Sequence, residues 1–259
     1  MMKNILEIKN LTAAYSGNRQ KIDYILKNLS LNMIENEFLG LVGESGSGKS
    51  TLANLIAGFI DPLEGEIFFR GKALQNLTLK QRITETEAGI QMVFQDPYDS
   101  LNPIQTIEKQ LEEPLIIQNK LNAAQRKIKV SEMLHNIGLS EEYANRYPKQ
   151  LSGGQLQRVA IGCALIIEPA LLLADEPVSS LDVSVQAQIL DLFQELRQKI
   201  GFACLFISHD LSVVQFLCDR IAVLNQGEIV EIGETEEVFK NPQNDYTKQL
   251  IEDTSYLIF

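Results

Sequence analysis

Soft metal ligands are scarce in this sequence, which has two histidines and three cysteines among its 259 residues. Cys163, Cys204 and Cys218 stand far apart and form no C-x-x-C pair, which excludes the common zinc sites and dithiol redox centres. Each lies in an apolar setting, so they read as buried free thiols of a reducing compartment. Positive charge is also short: 23 Lys and Arg stand against 34 Asp and Glu, a net charge of -11. Nucleic-acid affinity comes mainly from clustered cations, so no nucleic-acid partner is expected. The one locally basic cluster, Lys120, Arg126, Lys127 and Lys129, reads as a solvated helix face. Long apolar runs are missing too. The longest, "VAIGCALIIEPALLLA", is broken by Glu168 and Pro169 short of the ~20 residues a membrane span needs. The opening "MMKNILEIKN" has no leader-like apolar core, so the chain is expected to stay in the cytoplasm. Any work at a membrane then requires other subunits to cross it.

What remains is ordinary globular composition, 45% apolar and 22% charged, without repeats or low-complexity stretches. Short strand-like segments fill residues 5–41, and "GEIFFRGKAL" reads as a further strand and turn. Residues 106–147 have helical spacing and no strand candidate, which suggests an all-helical insertion. Apolar strands return in "ALLLADEP", "FACLFISHD" and "RIAVLNQGEIVEIG", with "SVQAQILDLFQELRQKI" as an amphipathic helix between them. Apolar strands alternating with helices imply an α/β fold with a largely parallel sheet.

"GESGSGKS", Gly43 to Ser50, fits G-x-x-x-x-G-K-[ST] between the strand candidate "FLGLV" and the helix candidate "TLANLIAGF". Glycines let such a loop curl so that its N–H groups face an anion, and the helix N-terminus adds partial positive charge. In this pattern Lys49 reaches the β- and γ-phosphates and Ser50 ligates Mg²⁺. A second metal anchor is needed at a strand end, and "LLLADEP" supplies Asp175, with Glu176 as a candidate general base for water.

"LSGGQLQR", Leu151 to Arg158, resembles the signature of ATP-binding-cassette (ABC) ATPases. The other motifs stand in that family's order: Tyr15 in "AAYSG", the phosphate loop, Gln95 in "VFQDP", "LLLADEP", "SSLD" ending at Asp182, and "SHD" with His209. The resemblance covers nearly the whole chain. It implies a P-loop NTPase fold with a mainly parallel core sheet, an N-terminal antiparallel β subdomain and an inserted α-helical subdomain. Residues 1–95 and 160–240 would form the nucleotide-binding core, about 96–159 the helical subdomain, and 241–259 a short tail. It further implies ATP and Mg²⁺ as ligands. Gly43, Glu44, Ser45, Gly46, Ser47, Gly48, Lys49, Ser50 and Thr51 would hold the phosphates, and Tyr15 would stack on adenine. Ser50, Gln95 and Asp175 would serve the metal, and Glu176, His209, Gln95 and Lys49 the hydrolysis. Ser152, Gly153, Gly154 and Gln155, with Asp182, would act in a head-to-tail dimer in which one subunit's signature closes on its partner's ATP.

The flanks "MVFQDPYDSLNP" and "FISHDLSVV" resemble the ATPases of oligopeptide, dipeptide and nickel importers. "NDYTKQLI" resembles that group's tail motif, with Asn244 and Asp245 where His-Pro is usual. Leu156, Gly162 and Cys163 also depart from the group's usual residues, and the short tail ending at Phe259 leans toward the nickel or metal-chelate type. The expected partners are two transmembrane permease subunits, a second cassette ATPase, different rather than identical, and indirectly an extracellular solute-binding protein. The chain would work on the cytoplasmic face of the cell membrane. Two rival classes fit the sequence less well. "NKLN", Asn119 to Asn122, nearly matches a guanine-reading motif but lacks its carboxylate. A soluble cassette ATPase of translation or repair would usually carry two cassettes or a long coiled coil.

Overall fold

The computed structural model describes residues 3–15, 23–75, 77–87 and 89–255. The chain divides into two compact units, Met1–Glu87 with Ala203–Phe259, and Ala88–Phe202. In the first unit β1 (Asn4–Tyr15) pairs antiparallel with β2 (Asp23–Ile34). β3 (Phe38–Val42) runs into α1 (Lys49–Ala57) through the glycine-rich loop. β4 (Glu64–Phe69) and β5 (Lys72–Ala73) complete an antiparallel sheet in the order β2-β1-β4-β5, and α2 (Leu79–Glu85) follows. Along β2, Leu29, Leu31 and Met33 are buried while Ser30 and Asn32 are exposed, the alternation of a sheet with one wet face. β3 is buried at every position, as a strand covered on both faces must be.

The second unit carries β6 (Ile90–Val93), the one-turn α3 (Pro97–Ser100), α4 (Ile107–Gln118), α5 (Ala123–Asn136), α6 (Gly153–Leu165), β7 (Leu171–Asp175) and α7 (Val183–Ile200). β6 and β7 are parallel, with Ile90 opposite Leu171 and Val93 opposite Ala174. α4 packs on α5 and α6 and buries Ile107, Leu111 and Leu115. The expected helical insertion is therefore present. The "NKLN" stretch has a purely local explanation. Asn119 adopts φ 51° and closes α4, while the Asn122 side chain accepts the Gln125 N–H and opens α5. Of the basic cluster, Arg126, Lys127 and Lys129 lie on α5, where Arg126 pairs with Glu112 at 2.8 Å and Lys129 pairs with Glu168, while Lys120 lies in the turn between α4 and α5 rather than on a helix face.

The chain then returns to the first unit with β8 (Ala203–Ile207), α8 (Leu211–Leu217), β9 (Arg220–Asn225), β10 (Glu228–Glu234), α9 (Thr235–Lys240) and α10 (Asp245–Ser255). Here β3 lies between β8 and β9, parallel to both, and β10 adds to β9 antiparallel. The start of β3 is pinned by polar groups: the Phe38 N–H donates to Asp219, and buried Glu37 pairs with Arg220 at 2.9 Å. Cys204 and Cys218 are buried, Cys163 on α6 is half-buried, and none of the three is in a disulfide. Burial and the Glu113 carboxylate push the Cys163 thiol up to about 12, so it stays protonated and unreactive at neutral pH. Among the described residues no helix is long and apolar enough to cross a membrane.

Candidate nucleotide-binding and hydrolysis site

The loop after β3 presents backbone rather than side chains. Gly43, Gly46 and Gly48 take φ values of 151°, 82° and 111°. At Gly43 a Cβ would stand 2.1 Å from the Leu224 carbonyl oxygen, so no other residue fits there without moving β9. Lys49, 6% exposed, curls back so that Nζ donates to the carbonyls of Gly43 and Glu44 at 2.8 and 2.9 Å. α1 starts behind Gly48 with no side-chain cap and no acidic residue in its first turn. No carboxylate in the first turn offsets its positive dipole end, an arrangement that fits a phosphate. Among the described residues the buried Ser47 hydroxyl meets no hydrogen-bond partner, which adds a polar atom a phosphate oxygen can satisfy. Glu44, Ser45, Gly46 and Ser50 are exposed along this loop and Thr51 is buried behind it.

His209 is in the same unit and exposed. Its backbone is fixed on both sides. The Ser208 N–H donates to the Leu41 carbonyl at 3.2 Å, and the Asp210 carboxylate caps α8 by accepting from the N–H groups of Ser212 and Val213. Tyr15 closes β1 opposite Asp23, and its side chain lies outside the described residues.

In the second unit β7 brings Asp175, half-buried, to its C-terminal end, with Glu176 next. Glu176 has φ 48°, a left-handed conformation that costs a residue with a Cβ about 1–2 kcal/mol. It is held by Ser179, whose N–H and hydroxyl both donate to the Glu176 carbonyl at 3.3 and 3.1 Å. Gln95, exposed just beyond β6, directs Nε2 at Glu176 Oε2 and at Ser179 Oγ, each at 3.4 Å. The structure therefore joins two residues that are 81 positions apart and were expected in one site. Asp182 caps α7, accepting from the Ser184 hydroxyl at 2.7 Å and the Val185 N–H at 3.0 Å, and these bonds hold its carboxyl below the usual range.

"LSGGQ" is a helix start. Ser152 caps α6, with its hydroxyl accepting the Gln155 N–H and its own N–H donating to Gln155 Oε1 at 3.0 Å. Gln155 Nε2 donates to the Tyr143 hydroxyl at 3.0 Å. Gly154 is a close-approach glycine, since a Cβ would lie 2.4 Å from Val185 Cγ1 of α7. Ser152 and Gly153 are exposed, so this turn offers a second set of helix-terminal N–H groups.

The family model for ABC transporters matches residues 26–179. The chain belongs to the ABC transporter family. This ABC ATPase is 40% identical over 97% of its length to the oligopeptide transport ATP-binding protein OppF of Bacillus subtilis, covering 82% of that protein. It is 45% identical over 90% of its length to the dipeptide transport ATP-binding protein DppF of Haemophilus influenzae, covering 71% of it. Among solved structures, it matches the dimeric post-hydrolysis cassette MJ0796 bound to ADP and Pi with a TM-score of 0.79 at 35% identity, over 89% of this chain and 98% of that one. CbiO1 of Clostridium perfringens, part of the ABC transporter complex cbiONQ, matches with a TM-score of 0.82 at 27% identity, over 99% and 96%. The fold expected from the motifs is that of an ABC cassette, and the chain is an ATP-hydrolysing transporter subunit. Residues outside the expected site set touch its members: Ser179 on Glu176, Ser184 on Asp182, Tyr143 on Gln155 and Tyr246 on Glu44. Ser179 lies inside "SSLD" and Tyr246 inside the tail motif "NDYTKQLI", whereas Tyr143 lies in no motif; the bond between Tyr246 and Glu44 spans 202 positions and leaves no local signal.

Proposed function

We propose that this ABC ATPase powers the import of peptides across the cell membrane. The observation that carries the reading is its identity with peptide-transport ATPases across nearly its whole length. These relatives favour peptides over the nickel or metal-chelate cargo, and transport over translation or repair.

Within that reading, Gly43 to Thr51 cradle the phosphates of ATP and Lys49 neutralises charge on the γ-phosphate. Tyr15 stacks on adenine and His209 contacts the γ-phosphate. Ser50, Gln95 and Asp175 offer the hard oxygen donors that suit Mg²⁺. When bound, Mg²⁺ would supply neutralisation of the phosphate charge. Glu176 takes a proton from the attacking water as it adds in line to the γ-phosphorus, the bond to the β–γ bridging oxygen breaks and ADP leaves with that electron pair; Gln95, already within hydrogen-bond distance of the Glu176 carboxylate, orients it. Ser152, Gly153, Gly154 and Gln155 act on the ATP of the other cassette in a head-to-tail pair, beside Asp182. The functional division keeps 1–95 and 160–240 as nucleotide core, about 96–159 as helical subdomain and 241–259 as tail. Partners are two permease subunits, a second cassette of different sequence and, indirectly, an external solute-binding protein, with the chain on the cytoplasmic face.

Purification of the tagged chain from its native membranes in mild detergent, followed by mass spectrometry, tests the assembly. Two polytopic membrane proteins, a second ATPase and a binding protein that retains peptides are expected. A binding protein that retains nickel chelates instead would overturn the cargo, and recovery with ribosomes or repair proteins would overturn transport altogether.

A further inference from the structure

We propose that Tyr246, in the C-terminal segment, is a positioning residue for nucleotide binding that fixes the peptide unit holding Lys49. The inference rests on reading Gly43–Ser50 as the phosphate site. The Glu44 N–H donates to the Tyr246 hydroxyl at 3.1 Å across 202 positions of sequence. That N–H shares one peptide plane with the Gly43 carbonyl, which accepts Lys49 Nζ at 2.8 Å. Peptide planarity couples the two ends: turning the N–H away from Tyr246 swings the carbonyl away from the ammonium. The next carbonyl, of Glu44, accepts both Lys49 Nζ at 2.9 Å and the Ser47 N–H at 3.2 Å, so a tilt at Glu44 spreads through the loop.

Tyr246 is itself built in. Its N–H donates to Asn244 Oδ1 at 2.9 Å. The Glu231 carboxylate on β10 accepts the N–H groups of Gln243 and Asn244 at 2.8 and 3.0 Å, anchoring the turn that starts α10. Thr247 beside it is buried. Burial raises the Tyr246 phenol above its ordinary value, so it remains a neutral hydroxyl at physiological pH. Asn244 and Asp245, which depart from the usual tail motif, serve this geometry. Asn244 receives the helix-start N–H, and Asp245 places a negative charge in the first turn, where the dipole favours it.

The test uses the full chain with ATP and Mg²⁺. Tyr246→Phe keeps the ring and removes only the hydroxyl. ATP affinity by calorimetry is expected to weaken roughly two- to tenfold, the effect of one net hydrogen bond, with KM rising by the same factor and kcat within about twofold of wild type. Lys248→Ala, an exposed change on the same helix, should alter neither. A Tyr246→Phe chain with wild-type affinity and KM, while Lys49→Ala loses ATP, would overturn the role of Tyr246 and leave the phosphate site standing. Wild-type affinity in Lys49→Ala would overturn the phosphate site and this inference with it. Should Tyr246→Phe not fold, Glu231→Ala releases the anchoring turn while keeping the hydroxyl. Weakened ATP binding then supports the proposal and unchanged binding refutes it.

Discussion

At the scale of single residues, Glu176 combines a chemical role with an uncommon backbone. A left-handed glutamate at the end of a buried strand is retained against its conformational cost because Ser179 holds its carbonyl and Gln95 meets its carboxylate. Glu176→Gln preserves size, backbone and an acceptor for Gln95 but removes the base. It should bind ATP with wild-type affinity, melt within about 2 °C of wild type and lose at least a hundredfold in kcat, on the order expected for a general base. Stopped turnover assays beside calorimetry check this, and wild-type-like hydrolysis would sink the assignment. The family resemblance implied that Gln95 and Glu176 serve one hydrolysis site, but not the hydrogen bond between them. Nor could the left-handed backbone be expected, because glutamate has no preference for it and only the surrounding bonds impose it.

At the scale of elements, caps explain much of what the motifs look like. Ser152 and Gln155 form the same reciprocal box on α6 that Asn122 and Gln125 form on α5. Removing either cap, by Ser152→Ala or Asn122→Ala, should lower stability by about 1 kcal/mol, read by urea titration. Only Ser152→Ala should also impair hydrolysis in the assembled transporter, because only that helix start is proposed to face a nucleotide; equal activity in the two variants would reduce the signature to a cap. Legibility followed length and burial. β3, β7 and β8 were readable because strands covered on both faces are unbroken apolar runs, and α7 because its 18 residues carry a clear amphipathic period. α2, α8 and α9, at seven, seven and six residues, are too short for a periodic signal and are set by their surroundings. The Tyr246 to Glu44 contact was invisible for a different reason: nothing local records a bond between residues 202 positions apart.

At the scale of the whole molecule, charge bears on which copies can pair. Each chain carries a net charge of -11, and two identical cassettes bring together like charges to which ATP adds more. Such repulsion is long-ranged at low ionic strength and is screened over about 8 Å at 0.15 M salt. A hydrolysis-deficient Glu176→Gln chain with ATP should therefore stay largely monomeric on its own at about 10 mM salt and dimerise more readily as salt rises toward 0.15 M and above. A second cassette of different sequence and less negative charge would relieve this cost, which is the physical ground for preferring an unlike partner. Sedimentation of Glu176→Gln with ATP across a salt series separates the cases. A tight dimer of identical chains that weakens as salt is added would mean that attractive contacts across the interface outweigh the net repulsion, and the preference for an unlike partner would lose its basis.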